Sequence, residues 1–179
     1  MTLEMVVIGL ARILGSLPVL RWAFVGGIIA VLVDFSDLFM MNLLDLGGLK
    51  NYQVFDKWID QVYMLTFLIV ALRWEGPART IAIVLYVWRL IGFGVFEVWD
   101  SRALLILFPN LFEFWFLFVA SLPHWRPSFR FTRKNVLISG GILLAAKLFQ
   151  EYVLHVGKWL DGFTAVEAVE AIWRFVSFW

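Results

Sequence analysis

Residues 33–63 read V-D-F-S-D-L-F-M-M-N-L-L-D-L-G-G-L-K-N-Y-Q-V-F-D-K-W-I-D-Q-V-Y. Five aspartates, Asp34, Asp37, Asp45, Asp56 and Asp60, stand here between two apolar runs, each long enough to cross a bilayer. Asp34 and Asp37 are three apart at the end of the first run, and Asp56 and Asp60 four apart at the start of the second. On helices both spacings put the two carboxylates on one face. Carboxylates at membrane depth are expensive, so they face a polar interior rather than lipid. The stretch predicts two membrane helices that share a carboxylate-rich site, with Asp45 solvated on the loop between them.

The rest of the chain is as apolar as this reading requires. Of 179 residues, 62% are hydrophobic, and mean hydropathy is +0.85; soluble domains sit nearer half apolar. The expected fold is all-α: a polytopic transmembrane helical bundle of five to six spans with amphipathic terminal helices. Residues 1–179 form one integral membrane domain with no separate soluble part. A net charge of +1 gives no bulk attraction to nucleic acid. The expected partners are membrane lipids and, in a homo-oligomer or a membrane complex, other chains. The absence of cysteine excludes disulfides, thiol catalysis and cysteine-ligated clusters. With His124 and His155 as the only histidines, a bis-histidine haem is not expected. Glu4 stands where a signal peptide would carry basic residues, so no cleaved leader is expected.

Breakers divide the chain. Residues 3–17 form an apolar helix, short for a span, that ends at Pro18. Five spans follow, at about 20–40, 52–72, 79–99, 103–122 and 135–156. Between them lie Gly47-Gly48, Gly76-Pro77, Asp100-Ser101-Arg102 and a basic loop at 123–134. Pro109 is expected to kink the fourth span. Gly26-Gly27 gives the first a thin face for close packing. Residues 163–179 read as an amphipathic, interfacial helix.

Arg126, Arg130, Arg133 and Lys134 share loop parity with Arg73 and Arg79, so loop 123–134 is expected on the cytoplasmic side of the inner or plasma membrane. The aspartates then collect toward the outer side. Arg89, Glu113 and Lys147 fall inside their spans. A lone charge there costs at least roughly 2.5–3.5 kcal/mol, so Glu113 is expected to pair with Arg89 or Lys147. Lys147, Glu151 and His155 recur every four residues as a polar stripe near the aspartates. Four converging carboxylates repel, and a divalent cation with oxygen ligands is their natural neutraliser.

The order of these residues resembles the CDP-alcohol phosphotransferase family of membrane lipid enzymes, whose pattern is D-x-x-D-G-x-x-A-R followed by G-x-x-x-D-x-x-x-D. The matching positions are Asp34, Asp37, Asp56 and Asp60, at the end of one span and the start of the next. The resemblance implies that Asp34, Asp37 and Asp56 bind a divalent cation, Mg or Mn, and that Asp60 is the base that activates an acceptor alcohol. Leu38 and Tyr52 replace the two glycines, Met41 and Asn42 replace Ala-Arg, and one extra residue separates the aspartate pairs.

Two functions follow. One is a divalent-metal-dependent, phosphotransferase-like enzyme in which Arg89 and Lys147 offer charge to phosphate, with Glu113 and Glu151 as their partners. The other is a non-catalytic membrane subunit, or a small transporter or channel. The cysteine-free chain makes topology directly testable. A Gly48→Cys variant is expected to react with an impermeant thiol reagent from outside the cell, and an Arg130→Cys variant only after permeabilisation. The opposite pattern would invert the topology.

Overall fold

The computed structural model describes residues 2–36, 52–99 and 108–153, together with Glu167, Trp173, Arg174 and Ser177. Helix α1 spans Leu3–Ser16. The Thr2 side chain caps it by accepting from the Met5 N–H at 3.3 Å. A 3-10 turn, Leu17–Leu20, follows with Pro18 near its start, where a missing N–H is harmless. Helix α2 is Ala23–Phe35, α3 is Tyr52–Ala71 and α4 is Gly76–Trp99. Helix α5 is Leu111–Trp125 and α6 is Arg133–Glu151, capped by Thr132. No strand occurs among the described residues, so the all-α expectation holds.

Several boundaries differ from expectation. The expected span 103–122 begins only at Leu111 among the described residues, so Pro109 precedes a helix instead of kinking one. Pro123 lies inside the last turn of α5 rather than ending it. Gly76, at φ +57°, adopts the left-handed turn that lets Pro77 start α4, as the Gly-Pro pair implied. The first helix and its turn make one apolar stretch, Leu3–Leu20, long enough to cross a membrane. Gly76–Val95 is a second, and Ala23–Phe35 and Trp58–Ala71 are shorter apolar helices. The loop Gly47-Gly48 and most of the expected terminal helix 163–179 lie outside the described residues.

Helix α3 is central. It packs against α1, α2, α4, α5 and the Pro18 turn, whereas among the described residues α6 packs mainly on α5. Its buried Tyr63, Met64, Phe67 and Val70 meet Phe112, Trp115, Phe116 and Val119 of α5. Phe67 stacks on Phe116 at 4.0 Å, and Trp74 covers the same ring at 5.2 Å. The basic segments gather at one end. Arg73 donates to the Leu20 carbonyl, Trp115 Nε1 donates to the Ala78 carbonyl, and Phe24 meets Trp125 edge-on.

The thin face of α2 is used as its glycines predict. A Cβ on Gly26 would come within 2.4 Å of the Pro18 carbonyl carbon and the Val19 nitrogen, which are backbone atoms with no freedom to yield. On Gly27 it would meet Leu117 and Phe116 of α5. Gly26→Ala is therefore expected to destabilise the protein by about 1–3 kcal/mol. A thermal melt in detergent that matches wild type would show that the crossing is looser than described.

Candidate functional site

Helices α1, α2 and α3 converge on one arginine. Glu4, Ile8, Arg12 and Ser16 recur every four residues, so they form a ridge on α1, and all four are buried. From this ridge the Arg12 guanidinium reaches two helices at once. Nη2 lies 2.7 Å from Asp34 Oδ1 on α2, and Nη1 lies 2.8 Å from Asp60 Oδ1 on α3. The Arg12 side chain is 4% exposed, Asp60 15% and Asp34 25%, so the cluster opens toward the end of α2. Charge-assisted bonds this short are the strong kind, and the planar fork holds both carboxylates in fixed geometry.

The expected meeting of Asp34 and Asp60 is thus present, but its centre is Arg12. Asp37 lies outside the described residues, as does the side chain of Asp56, whose backbone belongs to α3. Among the described residues no three carboxylate or histidine groups are arranged to hold a metal. One oxygen of each carboxylate, Oδ1 of Asp34 and Oδ1 of Asp60, is bound to Arg12.

One helical turn along α3 from Asp60, a second cluster forms. The Tyr63 hydroxyl donates to Glu113 Oε2 at 3.1 Å, and Asn110 Nδ2 donates to both Tyr63 Oη and Glu113 Oε2 at 3.1 Å. The triangle closes within the buried core, where a carboxylate needs donors.

Glu113 therefore does not pair with Arg89 or Lys147, contrary to expectation. Arg89 Nη1 instead donates to the Phe108 carbonyl at 3.1 Å. Lys147 is buried on α6. It donates to Gln150 at 2.8 Å, pairs with Glu151 at 3.1 Å and sits 5.5 Å above the Phe114 ring. Lys147 and Glu151 thus pair along one face of α6, and among the described residues Lys147 makes no ion pair with Asp34 or Asp60; His155 lies outside those residues. Hydrogen-bond donors close at hand on α3 and before α5 satisfied Glu113, and an i,i+4 glutamate satisfied Lys147. Neither charge had to reach across the bundle.

Two central residues carry little local signal. Arg12 reads as a lone cation in a short apolar helix, and only the four-residue ridge Glu4–Ile8–Arg12–Ser16 marks its face. Tyr63 reads as an aromatic core residue until Asn110 and Glu113 are placed beside it.

No family model, curated protein or solved structure matches the chain.

The triangle makes a sharp expectation about Glu113. Its role is that of an acceptor, so Glu113→Gln, whose amide oxygen accepts the same bonds, is expected to cost under about 1 kcal/mol. Tyr63→Phe leaves Asn110 and Glu113 short of a buried partner and is expected to cost about 1–3 kcal/mol. Chemical unfolding of the purified variants would measure both, and the reverse order would show that the charge of Glu113 matters more than its bonds.

Proposed function

We propose that this chain is an integral membrane protein of five to six spans whose buried charges clamp its helices, and that it serves as a non-catalytic subunit of a membrane complex. The observation that carries this reading is the guanidinium of Arg12, which holds one oxygen of each aspartate. A fork that binds α2 and α3 at once is an internal counter-ion, and it does chemically what a cation would otherwise do at this site.

The distribution of side chains supports the membrane part. Glu4, Arg12, Glu113 and Lys147 are each under a tenth exposed, while Leu14, Leu32, Val84, Leu137, Ile142 and Phe149 are more than half exposed. Charges inside and large apolar groups outside suit a lipid solvent and not water. Only 17% of the Gly76–Val95 window is buried, unlike the core helix of a soluble protein. The positive-inside pattern supports a cytoplasmic loop at 123–134.

Glycine contacts support the subunit part. Side chains or backbone of this chain fill the space that a Cβ would take at Gly15, Gly26, Gly27 and Gly92. At Gly140 and Gly141, on the peripheral α6, nothing among the described residues comes within 4 Å. Gly141 and Ala145 are four apart and exposed, a small-x-x-x-small face of the kind that another membrane helix packs against. An ion path is less well supported. Asp34 lies thirteen residues from Arg21, Asp60 thirteen from Arg73 and Lys147 thirteen from Lys134. At 1.5 Å per residue all three are about 20 Å from the basic end. The polar groups spread sideways at one depth, and a route across a bilayer needs them at successive depths.

The metal-dependent, phosphotransferase-like reading, with Asp60 as base, keeps one observation in its favour. Asp34 and Asp60 converge from the two elements that the motif names, and Asp34 is partly open. One experiment separates the two. In the clamp reading, Arg12→Gln strands two carboxylates and costs about 3–5 kcal/mol, while the combined Arg12→Met, Asp34→Asn and Asp60→Asn replacement recovers most of it. In that reading Mg or Mn leaves the melting temperature of wild type unchanged. A rise in wild type on adding Mn, lost in Asp34→Asn, would overturn the clamp reading in favour of the metal site.

A further inference from the structure

The connection between α5 and α6 lines an open concavity of about 590 Å³ at the basic end of the bundle. Arg126 and Arg130 line it, with Ser128, Thr132 and Asn135 between them and Trp125 and Phe129 at its walls. The volume lies in the range of small-molecule sites.

The loop is built, and its cations are unspent. The Arg126 N–H closes the end of α5 on Leu122, the Phe129 N–H returns to the Arg126 carbonyl, and the Thr132 N–H and Asn135 Nδ2 both donate to the Arg130 carbonyl. These bonds use the main chain of both arginines, whose side chains are exposed, with no carboxylate within ion-pair distance among the described residues. Phe129 packs edge-on against Phe118 and Phe131, and Phe131 lies against the buried Trp115. The loop is thereby pinned to the core through its aromatic residues. Thr132 Oγ accepts from the Asn135 N–H, which leaves its own hydroxyl proton to donate.

Two arginines and two hydroxyl residues, with no acid among the lining residues, select an anion with several oxygens. A phosphate group fits that donor set better than a carboxylate, because it offers an oxygen to each fork and more to the hydroxyls. We propose that this cavity is a phosphate-binding site, and that the phosphate it takes is the headgroup of an anionic phospholipid. The location argues for the lipid. Trp125 and Trp22 are both mostly exposed at this end, as interfacial tryptophans are. A basic pocket at the cytoplasmic ends of membrane helices meets headgroups at that depth. The site itself is independent of the clamp; only its lipid source rests on the membrane reading.

The test uses the full chain in nanodiscs of phosphatidylcholine, with phosphatidylglycerol or inorganic phosphate as the probe. Three proteins are compared: wild type, Arg126→Gln with Arg130→Gln, and Arg133→Gln with Lys134→Gln as a control of equal charge loss outside the cavity. Wild type is expected to bind phosphatidylglycerol, the control to lose only the general surface attraction, and the cavity variant to bind at least about tenfold more weakly than the control. Unchanged melting temperatures in phosphatidylcholine would show that both variants are folded, as the exposure of all four side chains implies. Equal losses in the two variants would reduce the effect to surface charge and overturn the site. If inorganic phosphate binds wild type in phosphatidylcholine and displaces phosphatidylglycerol at millimolar concentration, the phosphate site stands and the lipid source is overturned.

Discussion

Burying an arginine is tolerable only where its charge is matched, and that constraint organises the first half of this chain. Arg12 stands on the buried ridge of α1, so that face can be buried only where carboxylates meet the guanidinium. Asp34 and Asp60 have the converse need. Each element supplies what another must have, and three helices are placed by one guanidinium. The Pro18 turn and the Gly26 contact then set how closely α1 and α2 can lie. Ion pair and backbone approach together define one corner of the bundle, and α3 forms its inner wall.

Helix α3 carries that corner into the rest of the molecule. Its Asp60 belongs to the arginine cluster, its Tyr63 to the Asn110–Glu113 triangle, and its Phe67 to the aromatic stack with α5. Successive turns of one helix thus pass from ion pair to hydrogen-bonded triangle to dry packing. Beyond the aromatic layer lie the arginines of the basic end. The two polar regions are separated by a packed core that includes Phe67, Phe112, Trp115 and Phe116. The carboxylate site and the arginine-lined cavity are therefore distinct, with different chemistry at each end of the same bundle.

Much of this was legible in residue spacing. The boundaries near Pro18, Tyr52 and Gly76 followed from breakers, and the thin face of α2 followed from Gly26-Gly27. The meeting of Asp34 with Asp60 followed from equal residue counts along two helices. What was not legible was partner choice. Depth places Glu113 beside Arg89 and Lys147 equally well, and only side-chain positions reveal that Tyr63 and Asn110 reach it first. Arg12 was hidden for a related reason. Its value depends on carboxylates 22 and 48 residues away in sequence, and local periodicity carries no information about contacts at that range.

By itself the sequence determined that the chain is helical, that it holds long apolar runs, and which carboxylates share a helix face. Those properties come from composition and short-range spacing, because backbone periodicity and solvent transfer act within a turn or a span. Only the tertiary structure decided that Arg12 lies between Asp34 and Asp60, which donors hold Glu113, and that the loop after α5 forms an open concavity. A charge or a polar atom takes whichever partner the packing brings within about 3 Å. That choice belongs to the arrangement of helices in space and to no single stretch of the chain.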